Sequence, residues 1–394
     1  MGFCFDSVPD RHGTLSYKWD CNKEEFPQRP DAIPRWVADT DFPCPPAIVE
    51  AVQKRAAHPI YGYSTLSEDS AALVAAWQEK RNGWKIDPDW ITYTSGVVPA
   101  LSMAVRAFAA PGEGVIIMSP VYYPFRRTIV HNHRAVCECR MRHDGERWTI
   151  DFAELSRLAA MQDTKLLILC SPHNPLCRVF TRAELEKIAE ICLRNDVLIL
   201  SDEIHSDLIF KGQKHIPIAS LSPEVCARTI TATAPSKTFN IAGLQMSTII
   251  CSDETLRGRF TAALGFEFIP SVFGAAALQA AYRSAESEAY VDALMDYLWD
   301  NYLALDEALR MNMPKIHVQR PEATYLMWLD CRALGLDDEA LYRFFVDEAG
   351  VGIEMGNIFG GESAGFVRMN IGCTRATILE CCRRLCTAYE DHCF

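Results

Sequence analysis

The chain has 394 residues, 49% apolar and 23% charged, a composition that suits a soluble globular protein with one sizeable domain and a smaller one. Its formal net charge of −12 argues against nucleic acid as a partner, because binding a phosphate backbone requires a concentrated positive field. The N-terminal MGFCFDSVPDRHGT carries charges where a signal peptide needs an unbroken apolar stretch, and no later apolar run reaches membrane-spanning length; a cytoplasmic protein without a membrane partner is expected.

Residues 1–45 are rich in Pro, Asp and aromatics without clear periodicity, and read as an extended arm associated with the small domain. From Pro46 the pattern changes. PAIVEAVQKRAA and SEDSAALVAAWQEKRNG predict amphipathic helices, the second closed by Gly83. Short β-branched runs then alternate with helices. VIIM (115–118), LLILC (166–170), VLILSDE (197–203), TITAT (229–233) and TIIC (248–251) are continuous apolar strands, as expected when both faces of a sheet are covered. Thr181 and Glu184 form a capping box that opens a helix running to about Asn195. The fold class is therefore α/β: a mainly parallel sheet sandwiched by helices in a large domain, residues 46–285. The helical stretch ESEAYVDALMDYLWDNYLALDEALRM leads into strands near YLMWLD and FVRMNI, a smaller α/β domain over residues 286–394.

The 16 cysteines mostly stand singly in apolar runs, such as Cys170 and Cys251, and read as small buried hydrophobes of a reducing compartment. Cys137 and Cys139 form a CxC. Cys381, Cys382 and Cys386 crowd the last helix with Cys393 behind them, and without a paired CxxC pattern core packing is preferred to a metal site.

Five segments can carry chemistry. In TATAPSKTFNIAGL, Lys237 follows a buried strand among small and hydroxyl residues. Desolvation there lowers its pKa and frees the amine to attack a carbonyl, while the plain alternative is a surface lysine in a loop. In VLILSDEIHSDL, Asp202 ends an apolar strand, where open α/β sheets place ligands; it could hold a pyridine nitrogen protonated, or simply cap a helix. In ITYTSGVVPALSMAVRAF a strand turns into a helix, so the amides of Gly96, Val97 and Val98 with the helix dipole form an anion site suited to a phosphate. Tyr122 in SPVYYPF offers a flat face for an aromatic cofactor or ordinary packing. Asn174 in SPHNPLCRVF could donate to a ring oxygen or mark a turn.

Together, SGVV, PVYYPF, SPHNP, SDEIH, PSK and VRMNIG resemble, in order and spacing, the fold-type I pyridoxal-phosphate enzymes of the aminotransferase class I/II superfamily. PRWVADTDF, YGYS, SDEIHSDL and SKTFNIAG resemble the MalY/PatB-type branch of cystathionine β-lyases and cysteine-S-conjugate β-lyases; general aminotransferases tend to have tyrosine where this chain has His205. The resemblance implies pyridoxal 5'-phosphate held by Lys237 as a Schiff base, with the lysine later shuttling the Cα proton. It implies that Asp202 pairs with the pyridine nitrogen, Tyr122 stacks on the ring, Asn174 contacts its phenolic oxygen and His205 lies along that edge. It assigns Gly96, Val97, Val98 and Ser236 to the phosphate, and Arg368 and Ala38 to the substrate. Tyr63 would reach the site of a neighbouring subunit, touching phosphate and substrate, in a homodimer with shared active sites. The implied activity is carbon–sulfur β-elimination, with transamination the alternative. Regulators that fuse this fold to a DNA-binding module need an additional helix-turn-helix segment, for which about forty-five arm residues leave little room.

Three positions depart from the pattern. Ala234 replaces the usual serine three residues before the lysine, leaving Thr233 or Ser236 to supply a hydroxyl. Gln245 stands where many relatives have a cationic phosphate ligand. The familiar NPTG turn reads Asn174-Pro175-Leu176-Cys177.

Overall fold

The computed structural model describes residues 2–145, 147–265 and 269–392. Seven strands make the central sheet: β1 (Ile91–Thr94), β2 (Gly114–Ser119), β3 (Ala135–Arg140), β4 (Thr164–Cys170), β5 (Leu198–Asp202), β6 (Thr229–Thr233) and β7 (Ser247–Ile250). Their order across the sheet is β1-β7-β6-β5-β4-β2-β3. Pairs β6–β5, β5–β4, β4–β2 and β2–β3 are parallel, and β7 runs antiparallel to both its neighbours. The expected mainly parallel sheet is present, and the five apolar runs form five of its seven strands to within two residues.

Both faces are dry. Val115, Ile117, Leu166, Ile168, Leu198 and Leu200 point to one side, against Val97, Leu101, Ala104 and Val105 of helix Val97–Phe108. The alternate residues Ile116, Met118, Leu167, Leu169 and Ile199 meet Leu155 and Leu158 of helix Phe152–Ala159 and Leu185 and Ile188 of helix Arg182–Arg194 on the other. Successive strand side chains point to opposite faces, so two covered faces require an unbroken apolar run rather than an alternating one. The capping box of Thr181 and Glu184 opens the helix as predicted, and Gly83, at φ +67, closes helix Ser70–Asn82.

Helix Glu286–Asn312 leads into a four-stranded antiparallel sheet ordered His317–Val318, Leu326–Asp330, Phe366–Asn370, Glu354–Met355. Helix Arg375–Asp391 packs beside the long helix. Cys381 and Cys382 are buried in that core and Cys386 is half-buried; Cys393 lies outside the described residues.

The first forty-five residues are less extended than their sequence suggests. Ser16 caps a one-turn helix, Tyr17–Asp20, followed by Asn22–Glu25. Ile33–Pro34 then pairs in parallel with Val351–Gly352, where Phe26 lies so close that a Cβ on Gly352 would sit 2.4 Å from its ring. The segment is held by charge. Asp41, nearly buried, accepts hydrogen bonds from Arg35 at 2.7 Å and from Lys18, Arg11 and Trp19 at 3.0 Å each. These bonds steady the Trp36–Asp39 stretch over the C-terminal edge of the central sheet.

Candidate active site

Each chemistry-bearing segment leaves the same edge of the sheet. Gly96 follows β1, Tyr122 follows β2, Asn174 follows β4, Asp202 ends β5 and Lys237 follows β6 on the one-turn helix Pro235–Thr238. That edge is where an open α/β sheet offers a crevice. Here it is a cavity of about 210 Å³ lined by Ala38, Gly96, Val97, Val98, Tyr122, Asn174, Asp202, His205, Ser236 and Lys237, all named from sequence. Ser95, Pro99, Cys170, Ile204, Ala242, Gln245 and Met246 complete the wall.

The electrostatics follow from burial. The Lys237 amine donates to the Ala38 carbonyl at 2.7 Å, and burial holds its pKa below the usual lysine value, with Asp39 opposing and Arg368 reinforcing the shift. Asp202 is only 4% exposed, and burial pushes its carboxyl up to about 7. Its Oδ1 accepts the Ile204 N–H at 3.1 Å, so the carboxylate does cap a turn, although no helix follows. His205 is buried; desolvation, aided by the charges of Lys237 and Arg368, pushes it down to about 3 and keeps the imidazole neutral. Its Nδ1 has no hydrogen-bond partner among the described residues.

These residues fit pyridoxal phosphate on their own chemistry. A carboxyl raised by burial, with Lys237 offsetting only part of the cost, would regain its charge beside a protonated ring nitrogen. Gly96, Val97 and Val98, at the N-terminus of helix Val97–Phe108, line the cavity, and the amides of a helix N-terminus suit a phosphate. Thr233 spends its hydroxyl on Thr248, 2.7 Å away inside the sheet, whereas Ser236 lines the cavity; Ser236 is therefore the available hydroxyl in place of position 234. The NPLC turn keeps its shape because Cys177 adopts φ +53, a conformation glycine takes more readily, while its carbonyl accepts from Glu322 and Ala323 at 2.8 and 3.1 Å.

Two sequence-named residues lie apart from the cavity lining. Arg368, at the centre of strand Phe366–Asn370, is buried just behind it: Nη1 donates to Asn174 Oδ1 at 3.0 Å and Nη2 to the Trp36 carbonyl at 2.8 Å. Tyr63 is 95% exposed and is not brought to the cavity of its own chain. Sequence reasoning missed Tyr325, whose hydroxyl donates to the Ala38 carbonyl at 3.1 Å, and Glu354, ion-paired to Arg368. Neither sits in a motif; Tyr325 carries only the signal of a strand-edge aromatic.

A lysine, a buried carboxylate, a neutral histidine and a helix N-terminus around one crevice at a parallel sheet edge define a fold-type I pyridoxal-phosphate enzyme. The model of the family "Aminotransferase class I and II" matches residues 37–385, and the chain belongs to that family. It is 41% identical to cystathionine beta-lyase PatB of Bacillus subtilis, over 97% of this chain and 98% of that one. It is 35% identical to protein MalY of Escherichia coli, over 95% and 96%. Among solved structures it is similar to cystalysin from Treponema denticola, described as containing a pyridoxal 5'-phosphate cofactor, with a TM-score of 0.96 and 37% identity over the full length of both chains.

Proposed function

We propose that this chain is a pyridoxal-phosphate-dependent carbon–sulfur β-lyase that cleaves L-cystathionine or related cysteine S-conjugates to a thiol, pyruvate and ammonia. The observation that carries the chemistry is that Lys237 and Asp202 line one buried cavity, the amine with its pKa lowered and the carboxyl with its pKa raised by burial. The cofactor, when bound, supplies a carbonyl for the substrate amine and an electron sink for the Cα carbanion. Lys237 removes the Cα proton. Asp202 would keep the sink cationic, Tyr122 would cover its face, and Asn174 and neutral His205 would line its edge. Arg368 and the Ala38 segment orient the substrate so that Cα–H faces the lysine. When the Cβ–S bond breaks, the electron pair leaves on sulfur, and water takes the three-carbon remainder to pyruvate and ammonia.

The similarity to cystathionine beta-lyase PatB across nearly the whole chain supports elimination over transamination. We read the molecule as an N-terminal arm (1–45), a large cofactor-binding domain (46–285) and a small domain (286–394). The outward Tyr63, beside exposed Ile60 and Tyr61, supports a homodimer in which it completes the partner's site; the reading as a cytoplasmic protein rests on the sequence. The test supplies L-cystathionine, L-cysteine and an amino acid with a 2-oxo acid separately to the holoenzyme. Pyruvate from the first two supports the lyase; a new amino acid from the third, without pyruvate, makes it an aminotransferase.

A further inference from the structure

Arg368 is partnered by one more group than a substrate clamp needs. A guanidinium has five N–H donors, and both ways of gripping a carboxylate with two parallel bonds, end-on through Nη1 and Nη2 or side-on through Nε and Nη2, use Nη2. Nη2 already donates to the Trp36 carbonyl at 2.8 Å, and the Glu354 carboxylate lies against the same nitrogen. Nε has no hydrogen-bond partner among the described residues. An incoming carboxylate must therefore approach the nitrogen that Glu354 touches.

Two carboxylates on one buried guanidinium cannot both stay charged in place. The surroundings decide which gives way. Glu354 sits on strand Glu354–Met355, directly opposite Arg368. Around it are Tyr123, ahead of helix Pro124–His131, and Glu25, at the end of an arm helix. Arg127 stacks 4.8 Å over the Tyr123 ring. Burial, with a further push from Glu25, raises the Glu354 carboxyl above its usual value, against the opposing pull of Arg368. The resident carboxylate is thus the one closer to taking a proton.

We propose that Glu354 is a built-in competitor for Arg368, neutralising the clamp in the empty site and taking up a solvent proton or withdrawing when a substrate carboxylate docks, so that it sets the affinity of the site for amino acids. This rests on reading Arg368 as the substrate clamp. The competitor is strong where Glu354 is ionised and weak where it is protonated. Substrate KM in the native protein should therefore rise with pH relative to a variant that cannot ionise.

The experiment compares native, Glu354→Gln and Arg368→Lys holoenzymes on L-cystathionine across the pH range in which the holoenzyme is active, with L-cysteine methyl ester as a substrate lacking the carboxylate. At the upper end Glu354→Gln should lower the KM for L-cystathionine by roughly three- to thirtyfold, with a smaller change in kcat. The difference should shrink toward the lower end and be missing with the ester. Glu354→Asp, one methylene shorter, should move KM the same way by less, and serves if the amide variant folds poorly. An unchanged or raised KM in both Glu354 variants, with Arg368→Lys raising it, overturns the competitor and leaves the clamp standing. An Arg368→Lys enzyme with native KM removes the clamp and the competitor together.

Discussion

Replacing Asp202 by Asn should make the cofactor-free protein more stable and the enzyme nearly inactive. Burial lifts this carboxyl from 3.8 to about 7, because the folded chain holds an anion away from water, and the Ile204 amide and the charge of Lys237 offset only part of that cost. The unfolded chain ionises it from about pH 4 upward, while the folded chain keeps the proton to about pH 7. Folding stability therefore falls as pH rises through that window, and the full cost persists above it. A rise of about three units corresponds to on the order of 4 kcal/mol, of which roughly 2 to 3 kcal/mol develops between pH 5 and pH 8. Asparagine cannot titrate, so the stability gap in its favour should widen by that amount. Urea unfolding of cofactor-free native and Asp202→Asn protein at both pH values reads the gap directly, since all other titrations are shared. A gap that does not change with pH would refute the assignment of a raised, proton-holding carboxyl. In the holoenzyme the order reverses. The ring nitrogen supplies the missing cation, the native protein gains more from the cofactor, and kcat of the variant should fall by about a hundredfold or more.

Lys237→Ala should abolish the lysine-linked visible absorbance and reduce turnover by at least about a thousandfold, and borohydride reduction of native holoenzyme should leave its mass label on Lys237 alone. Asp41→Ala strands the buried Lys18 and Arg35, and thermal unfolding should show a loss of about 3–5 kcal/mol; a loss below about 1 kcal/mol would mean that the arm is held by Phe26 and the Ile33–Pro34 pairing instead. Tyr63→Phe and Lys237→Ala homodimers should each be impaired, while subunit exchange between them should restore up to about half of the native sites, because two-fold symmetry gives one site of the heterodimer both native residues. A heterodimer confirmed by tagged pull-down that regains no activity would return Tyr63 to its own chain.

Much of this molecule could be read from local pattern. Unbroken apolar runs marked β2, β4, β5, β6 and β7, since burial on both faces leaves no room for alternation, and Thr181–Glu184 marked a helix start because the cap is made within four residues. Lys237, Asp202, Asn174, Tyr122 and Gly96–Val98 were legible for the same reason: each sits where a strand ends, and strand ends are local. Strand direction was not legible, because an apolar run reads alike whichever way its neighbours run, and only the assembled sheet set β7 antiparallel. Also hidden were contacts made by the backbone or across long stretches of chain. The Ala38 and Trp36 carbonyls that receive Lys237 and Arg368 belong to groups that every residue carries, so no side chain announces them. The pairing of Lys18 with Asp41 and of Glu354 with Arg368 joins charges that, along the sequence, look like ordinary solvated residues. Folding alone takes them out of water, and that loss of solvent makes each pair an energetic constraint.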